Sequence, residues 1–179
     1  MKRRYVFDAT PLIHLSKAGL ARLIEALDGE KFTVPTVVNE VAGKPEGKGR
    51  EYPDAVIISS LIEKGTIRVR TPAPSGAKSV ARIHRDIHAG EAEAIALAKE
   101  VRAVAVVDDR AARAAARIQG VRVEGTYGVV LRAVKKGALS VEEGEDALGR
   151  LVSSGWRCDA ELYGALLKSL RKTRPAADH

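Results

Sequence analysis

The sequence predicts an α/β protein: a central parallel sheet of about five strands flanked by helices, with a helical C-terminal extension. Three observations carry this reading. Short apolar-rich runs of three to five residues recur as far as residue 124, each separated from the next by a helical pattern. Such alternation implies parallel strands joined by crossover helices. Two of the runs, Tyr5-Val6-Phe7 and Ala103 to Val107, are unbroken by polar residues and stop at aspartate, as strands buried on both faces do. Beyond Gly125 the pattern is helical only.

The elements follow in order. Tyr5 to Phe7 is the first strand and ends at Asp8. Thr10-Pro11 reads as an N-cap followed by proline at the first helical position, with Leu12, Ile13 and Leu15 as the apolar side and Gly19 as the stop. Leu20 to Leu27 is a second short helix. Phe32 to Val34 is a strand, and Pro35 opens a helix through Val41. Gly43 to Pro53 is polar and Gly-rich, a loop. Ala55 to Lys64 is a helix closed by Gly65, and Ile67 to Val69 a strand. Thr71 to Ser79 holds two prolines and a glycine, so it reads as another loop. An Ala-rich helix spans Glu91 to Glu100 and leads into the strand Ala103 to Val107. Arg110 to Ile118 is a helix stopped by Gly120, and Val121 to Val123 the last strand. Tyr127 to Lys136, Val141 to Val152 and Asp159 to Leu170 are helices that pad one side of the sheet or swap onto a partner. The expected organisation is one domain over 1–179, with an α/β core at 1–124 and a helical part at 125–179.

Composition narrows the function classes. The apolar fraction of 45% suits a packed core, and aromatics at 4% make that core aliphatic. No apolar stretch approaches the ~18 residues of a membrane span. The N-terminus reaches Asp8 before any signal-peptide core begins, so the expected location is cytoplasmic. The one cysteine, Cys158, makes neither an internal disulfide nor a Cys-rich zinc site. A net charge of +7 favours a polyanionic partner, nucleic acid above all. One Asn and one Gln in the chain hint at a thermophile.

The acids carry the chemistry. In open parallel sheets, ligands bind beyond the carboxyl ends of the strands. Asp8 and the pair Asp108/Asp109 stand at that edge. Glu40 lies on the helix that starts after the second strand, and Glu91 in the first turn of the helix before Ala103 to Val107. Carboxylates gathered there repel one another. Mg²⁺ or Mn²⁺, hard cations that take oxygen ligands, relieves that repulsion and suits phosphodiester chemistry. Plainer readings exist: Asp8 as a helix cap (a role that fits Thr10 better), Asp109 as an N-cap, and Glu91 and Glu93 as acids favoured by the helix dipole. A two-residue spacing turns Glu91 and Glu93 to different sides of a helix, so one of them at most faces the site.

Cations supply candidate substrate contacts. Arg110, Arg113 and Arg117 share one helix face that begins at the acidic edge, and phosphate contacts there would be sequence-independent. The competing reading is a solvated face. Arg82 and Arg85 form a second group before Glu91. His84 and His88 have the i, i+4 spacing of zinc ligands but no third partner. Lys168, Arg171, Lys172 and Arg174 read as a solubilising run, and Trp156 and Tyr163 as packing anchors.

FDATPLIHLSKAG, VPTVVNEV, GEAEAIALAKE and VVDDRAARAAA resemble, in order, the four acidic blocks of the PIN domain. They are most similar to a VapC-like branch of prokaryotic proteins that carry a GEAEAI block, and GVVLRAVKKGALSVEE and SSGWRCDAEL extend the likeness along nearly the whole chain. The resemblance implies a three-layer fold and a Mg²⁺- or Mn²⁺-dependent ribonuclease acting on RNA. It further implies a toxin paired with a small antitoxin protein, and a homodimer. It maps the metal-binding acids to Asp8, Glu40, Glu91 and Asp109 and a supporting hydroxyl to Thr10. Two departures stand out: Glu91 where many relatives have Asp, and Val107-Asp108-Asp109 where Thr-x-Asp is commoner, which leaves both Asp108 and Asp109 as candidate ligands. The alternatives are a non-catalytic PIN-like module that binds RNA or a protein, and a phosphotransfer domain. The phosphotransfer reading lacks a second Asp in Asp8-Ala9-Thr10 and a strand-end lysine.

Overall fold

The computed structural model describes residues 3–42, without the Ala42 side chain, and residues 52–173. Five strands form one all-parallel sheet: β1 (Arg4–Phe7), β2 (Glu30–Thr33), β3 (Arg68–Val69), β4 (Val104–Val106) and β5 (Arg122–Glu124). Their spatial order is β3-β2-β1-β4-β5. The chain steps outward from β1 through β2 to β3, then crosses back to place β4 on the other side of β1. Tyr5 pairs with Lys31 on one side and Val104 on the other. The order therefore reverses between β1 and β4, the switch point beyond which open sheets bind ligands.

Ten helices cover the sheet among the described residues: α1 (Ala9–Lys17), α2 (Arg22–Ala26), α3 (Pro35–Ala42), α4 (Pro53–Glu63), α5 (Pro74–Ala81), α6 (Ala89–Glu100), α7 (Arg110–Ile118), α8 (Thr126–Lys135), α9 (Val141–Ser153) and α10 (Ala160–Arg171). Central β1 has both faces buried, with Val6 and Phe7 fully enclosed. Helix α6 is almost wholly internal: Ala92, Ala94, Ile95, Ala96, Leu97 and Ala98 are all buried. Its small side chains let neighbours approach closely. A Cβ at Gly76 of α5 would stand 3.3 Å from Ala96 Cβ. One aliphatic cluster runs from Tyr5 to Leu170, so the C-terminal helices share their core with the sheet. They pack on α1 and α2 of the same chain. No described helix is long and apolar enough to cross a membrane.

Several expectations need correction. Thr71 to Ser79 is not a loop throughout, because α5 begins at Pro74. Proline needs no N–H at the first helical position, so it opens a helix there rather than preventing one. Helix α1 starts at Ala9, which makes Asp8 rather than Thr10 the N-cap residue, although its side chain makes no capping hydrogen bond. Helix α6 starts two residues before Glu91. The expected loop at Gly43 to Pro53 lies, except for Tyr52 and Pro53, outside the described residues, as does Arg174. Arg171 is no free solubilising charge: its guanidinium bonds both oxygens of Glu145 and ties α10 to α9.

Candidate functional site

Asp8 sits where β1 gives way to α1. Its amide donates to Val106 O at 3.1 Å, which extends the β1–β4 ladder by one residue and fixes the backbone. On the other side Thr33 Oγ1 donates to Phe7 O at 2.9 Å. The carboxyl is thereby held at the switch point with 3% of its surface exposed. Burial, with the nearby charges of Glu91 and Glu40, raises its pKa to about 7, and the Ala9 and Thr10 amides oppose the rise only in part.

Glu91 occupies the first turn of α6 and is 7% exposed. Its Oε2 accepts from His88 N at 2.9 Å. Burial raises its pKa, the His88 amide counters, and Asp109 and then Glu40 raise it further. Glu40 is exposed near the end of α3 and reaches α6: a Cβ at Gly90 would meet Glu40 Oε1 at 2.8 Å and Val37 Cγ2 at 3.2 Å. Glycine at 90 is what admits α3 this closely. Four carboxyls, Asp8, Glu40, Glu91 and Asp109, thus influence one another electrostatically at one edge. Among the described residues no Lys or Arg pairs with any of them.

The two adjacent aspartates diverge. Asp109 caps α7, accepting from Ala112 N at 2.9 Å through Oδ1. It is exposed and stands near Glu91. Asp108 turns the other way, and both of its oxygens are engaged. Oδ1 accepts from Thr126 N at 2.7 Å, and Oδ2 accepts from Thr126 Oγ1 at 2.5 Å and Trp156 Nε1 at 3.0 Å. It pins α8 and the α9–α10 turn to the end of β4. Trp156, buried, serves as its donor.

Glu93 faces away from Asp8 and accepts from Thr36 Oγ1 at 2.7 Å, joining α6 to α3. Sequence reasoning missed this link and the Thr126–Asp108–Trp156 cluster. Partners 57 and 48 residues apart carry no local signal. Thr10 lies in the first turn of α1, half-buried beside Asp8. Arg82 and Arg85 are exposed between α5 and α6. The His84–His88 pair does not share a helix. His84 Nδ1 accepts from Asp86 N at 3.2 Å, and His88 is the residue before α6, so the spacing argument for zinc fails. Arg110, Arg113 and Arg117 line one side of a groove of about 580 Å³ whose rim includes Asp108.

The donor set fits a hard divalent cation. It is all carboxylate oxygen, one member is buried without a counter-charge, and Glu91 and Asp109 each keep one oxygen without a hydrogen bond among the described residues. No three of these acids yet stand at metal-holding distance among the described residues. A bound ion would draw the side chains together, the exposed Glu40 most freely.

Fold and site together define a parallel α/β domain with an acidic centre at its switch point. Residues 4–172 match the family model of the PIN domain, and the chain belongs to that family of nucleases. It is similar to Endoribonuclease Nob1 of Pyrococcus abyssi (strain GE5 / Orsay), with 29% identity over 119 residues. That match spans 63% of this chain and 66% of the relative, just under two thirds of the relative's length.

Proposed function

We propose that the protein is a divalent-metal-dependent endoribonuclease that hydrolyses phosphodiester bonds of single-stranded RNA, with Asp8, Glu40, Glu91 and Asp109 holding Mg²⁺ or Mn²⁺. The observation that carries this reading is the Asp8 carboxyl, buried at the switch point among like charges and raised to about 7. Such an arrangement is costly unless a cation compensates it. When bound, the ion supplies charge neutralisation at the phosphate and an acidified water. The chain's own residues do the rest. Asp8 is held rigid by the strand ladder, so the acidic centre has a fixed anchor. Glu91 and Asp109, each with one oxygen tied to a backbone amide, present the other in a set direction. Thr10 offers a hydroxyl beside Asp8 for orienting a water or a phosphate oxygen. Attack by water leaves 3′-hydroxyl and 5′-phosphate ends. Family likeness extends the proposal to a toxin held by a small antitoxin protein, acting as a homodimer.

The absence of a ready three-acid cage among the described residues favours a second reading, a PIN-like module that binds RNA without cutting it. Incubation with labelled RNA and Mn²⁺ separates the two. Cleavage that both EDTA and Asp8→Asn abolish supports the nuclease; metal-insensitive retention of uncut RNA establishes the binding module instead.

A further inference from the structure

The groove beside Asp108 has two unlike walls. One is the basic stripe of α7, Arg110, Arg113 and Arg117; the other is apolar, Tyr127 from α8 with Leu162 and Leu166 from α10. Its acids are already spent. Asp108 is bound by Thr126 and Trp156, and Glu124 pairs with Arg132. Among the described residues none of the three arginines has an ion-pair partner. Burial, and then the charge of Arg117, push the Arg113 pKa below its usual value, with Asp108 opposing, so positive charge is left in excess there. The apolar wall is fixed, because Tyr127 Oη donates to Leu166 O at 2.8 Å and locks α8 to α10. Leu162 is 43% exposed, high for a leucine in a helix that otherwise packs. A basic stripe facing an apolar, partly aromatic wall is the chemistry of a single-stranded nucleic-acid track, where phosphates meet one side and base faces the other.

We propose that this groove binds the RNA strand flanking the acidic centre, with phosphates on Arg110, Arg113 and Arg117 and nucleobases against Tyr127, Leu162 and Leu166. The proposal rests on the ribonuclease reading for its class of ligand. The path is continuous: Asp109 caps α7 at the acidic end, Arg110 follows it directly, and the stripe runs about 10 Å along the helix, enough for more than one phosphate. The apolar wall makes the track selective for unpaired strands, since a duplex keeps its base faces stacked inside.

Fluorescence anisotropy with a labelled single-stranded RNA in EDTA tests this without cleavage. Arg110→Gln/Arg117→Gln should weaken binding at least tenfold at low salt and flatten the slope of log affinity against log salt by about one. Leu162→Glu, at an exposed position, should weaken it about tenfold with the fold retained by circular dichroism. Arg22→Gln/Lys64→Gln, which removes the same charge elsewhere, should change it less than threefold. Wild-type-like binding by both groove variants overturns the proposal while leaving Mn²⁺-dependent cleavage to be judged separately. A change of oligomeric state in Leu162→Glu with RNA affinity unaltered makes the groove a protein interface and also overturns it. Failure of the wild type to bind any RNA sinks the ribonuclease reading and this one together.

Discussion

At the scale of single residues, Asp8 carries the most consequence. Its pKa is raised from the usual carboxylate value of 3.8 to about 7 on folding, so the folded state favours the neutral acid. The stability this contributes is full below about pH 4 and is lost as the pH rises through 7. Asparagine at the same place stays neutral. Chemical denaturation of metal-free protein should therefore show Asp8→Asn gaining on the wild type from about pH 4 to pH 8. The gain should be on the order of 4 kcal/mol, since each tenfold change in proton affinity is worth about 1.4 kcal/mol. A difference that stays flat across that range contradicts the assignment. The adjacent aspartates should separate cleanly. Asp108→Ala strands the Thr126 and Trp156 donors and should cost about 1–3 kcal/mol in a urea melt. Asp109→Asn keeps a good cap on α7 and should melt within about 0.5 kcal/mol of wild type while losing RNA cleavage. Sequence position alone placed both aspartates at a strand end. Which one faces the acids depends on Thr126 and Trp156 arriving from distant parts of the chain, so that choice was not legible.

Between elements, the α3–α6 joint sets the spacing of the acidic centre. Gly90 lets α3 approach, and the Thr36–Glu93 hydrogen bond holds it there. Glu93 is thus a positioning residue that acts through Glu40 and Glu91. Glu93→Ala should weaken Mn²⁺ binding several-fold by calorimetry with little change in secondary structure, as loss of a supporting contact does at metal sites. An unchanged affinity would show that the joint holds without it. The elements themselves were read unevenly from the sequence. Helices α8, α9 and α10 are legible because their apolar period is unbroken. The strand β4 is legible because AVAVV admits no amphipathic reading. Helix α5 was hidden by Pro72, Pro74 and Gly76, residues that usually mark loops. In the fold Pro74 opens the helix and Gly76 brings it close to α6.

For the whole molecule, topology explains why acids scattered from residue 8 to residue 109 act as one site. The crossover from β3 back to β4 opens a cleft between β1 and β4, and three helices deliver Glu40, Glu91 and Asp109 to it. The alternation of strands and helices showed this edge in the sequence, and the net charge of +7 pointed to a polyanion. The groove between α7 and α10 was not legible, because its apolar wall comes from helices that no strand pattern anchors. The central claim is that the four acids form a cation site whose deepest member gives up a proton on binding. Titration calorimetry of metal-free protein with Mn²⁺ at pH 6, repeated in buffers of different ionisation enthalpy, tests it most directly. The expected result is saturable binding that releases about one proton in the wild type, with affinity at least tenfold weaker and that proton absent in Asp8→Asn. Mn²⁺ that fails to saturate, or that binds Asp8→Asn and wild type alike, would contradict it.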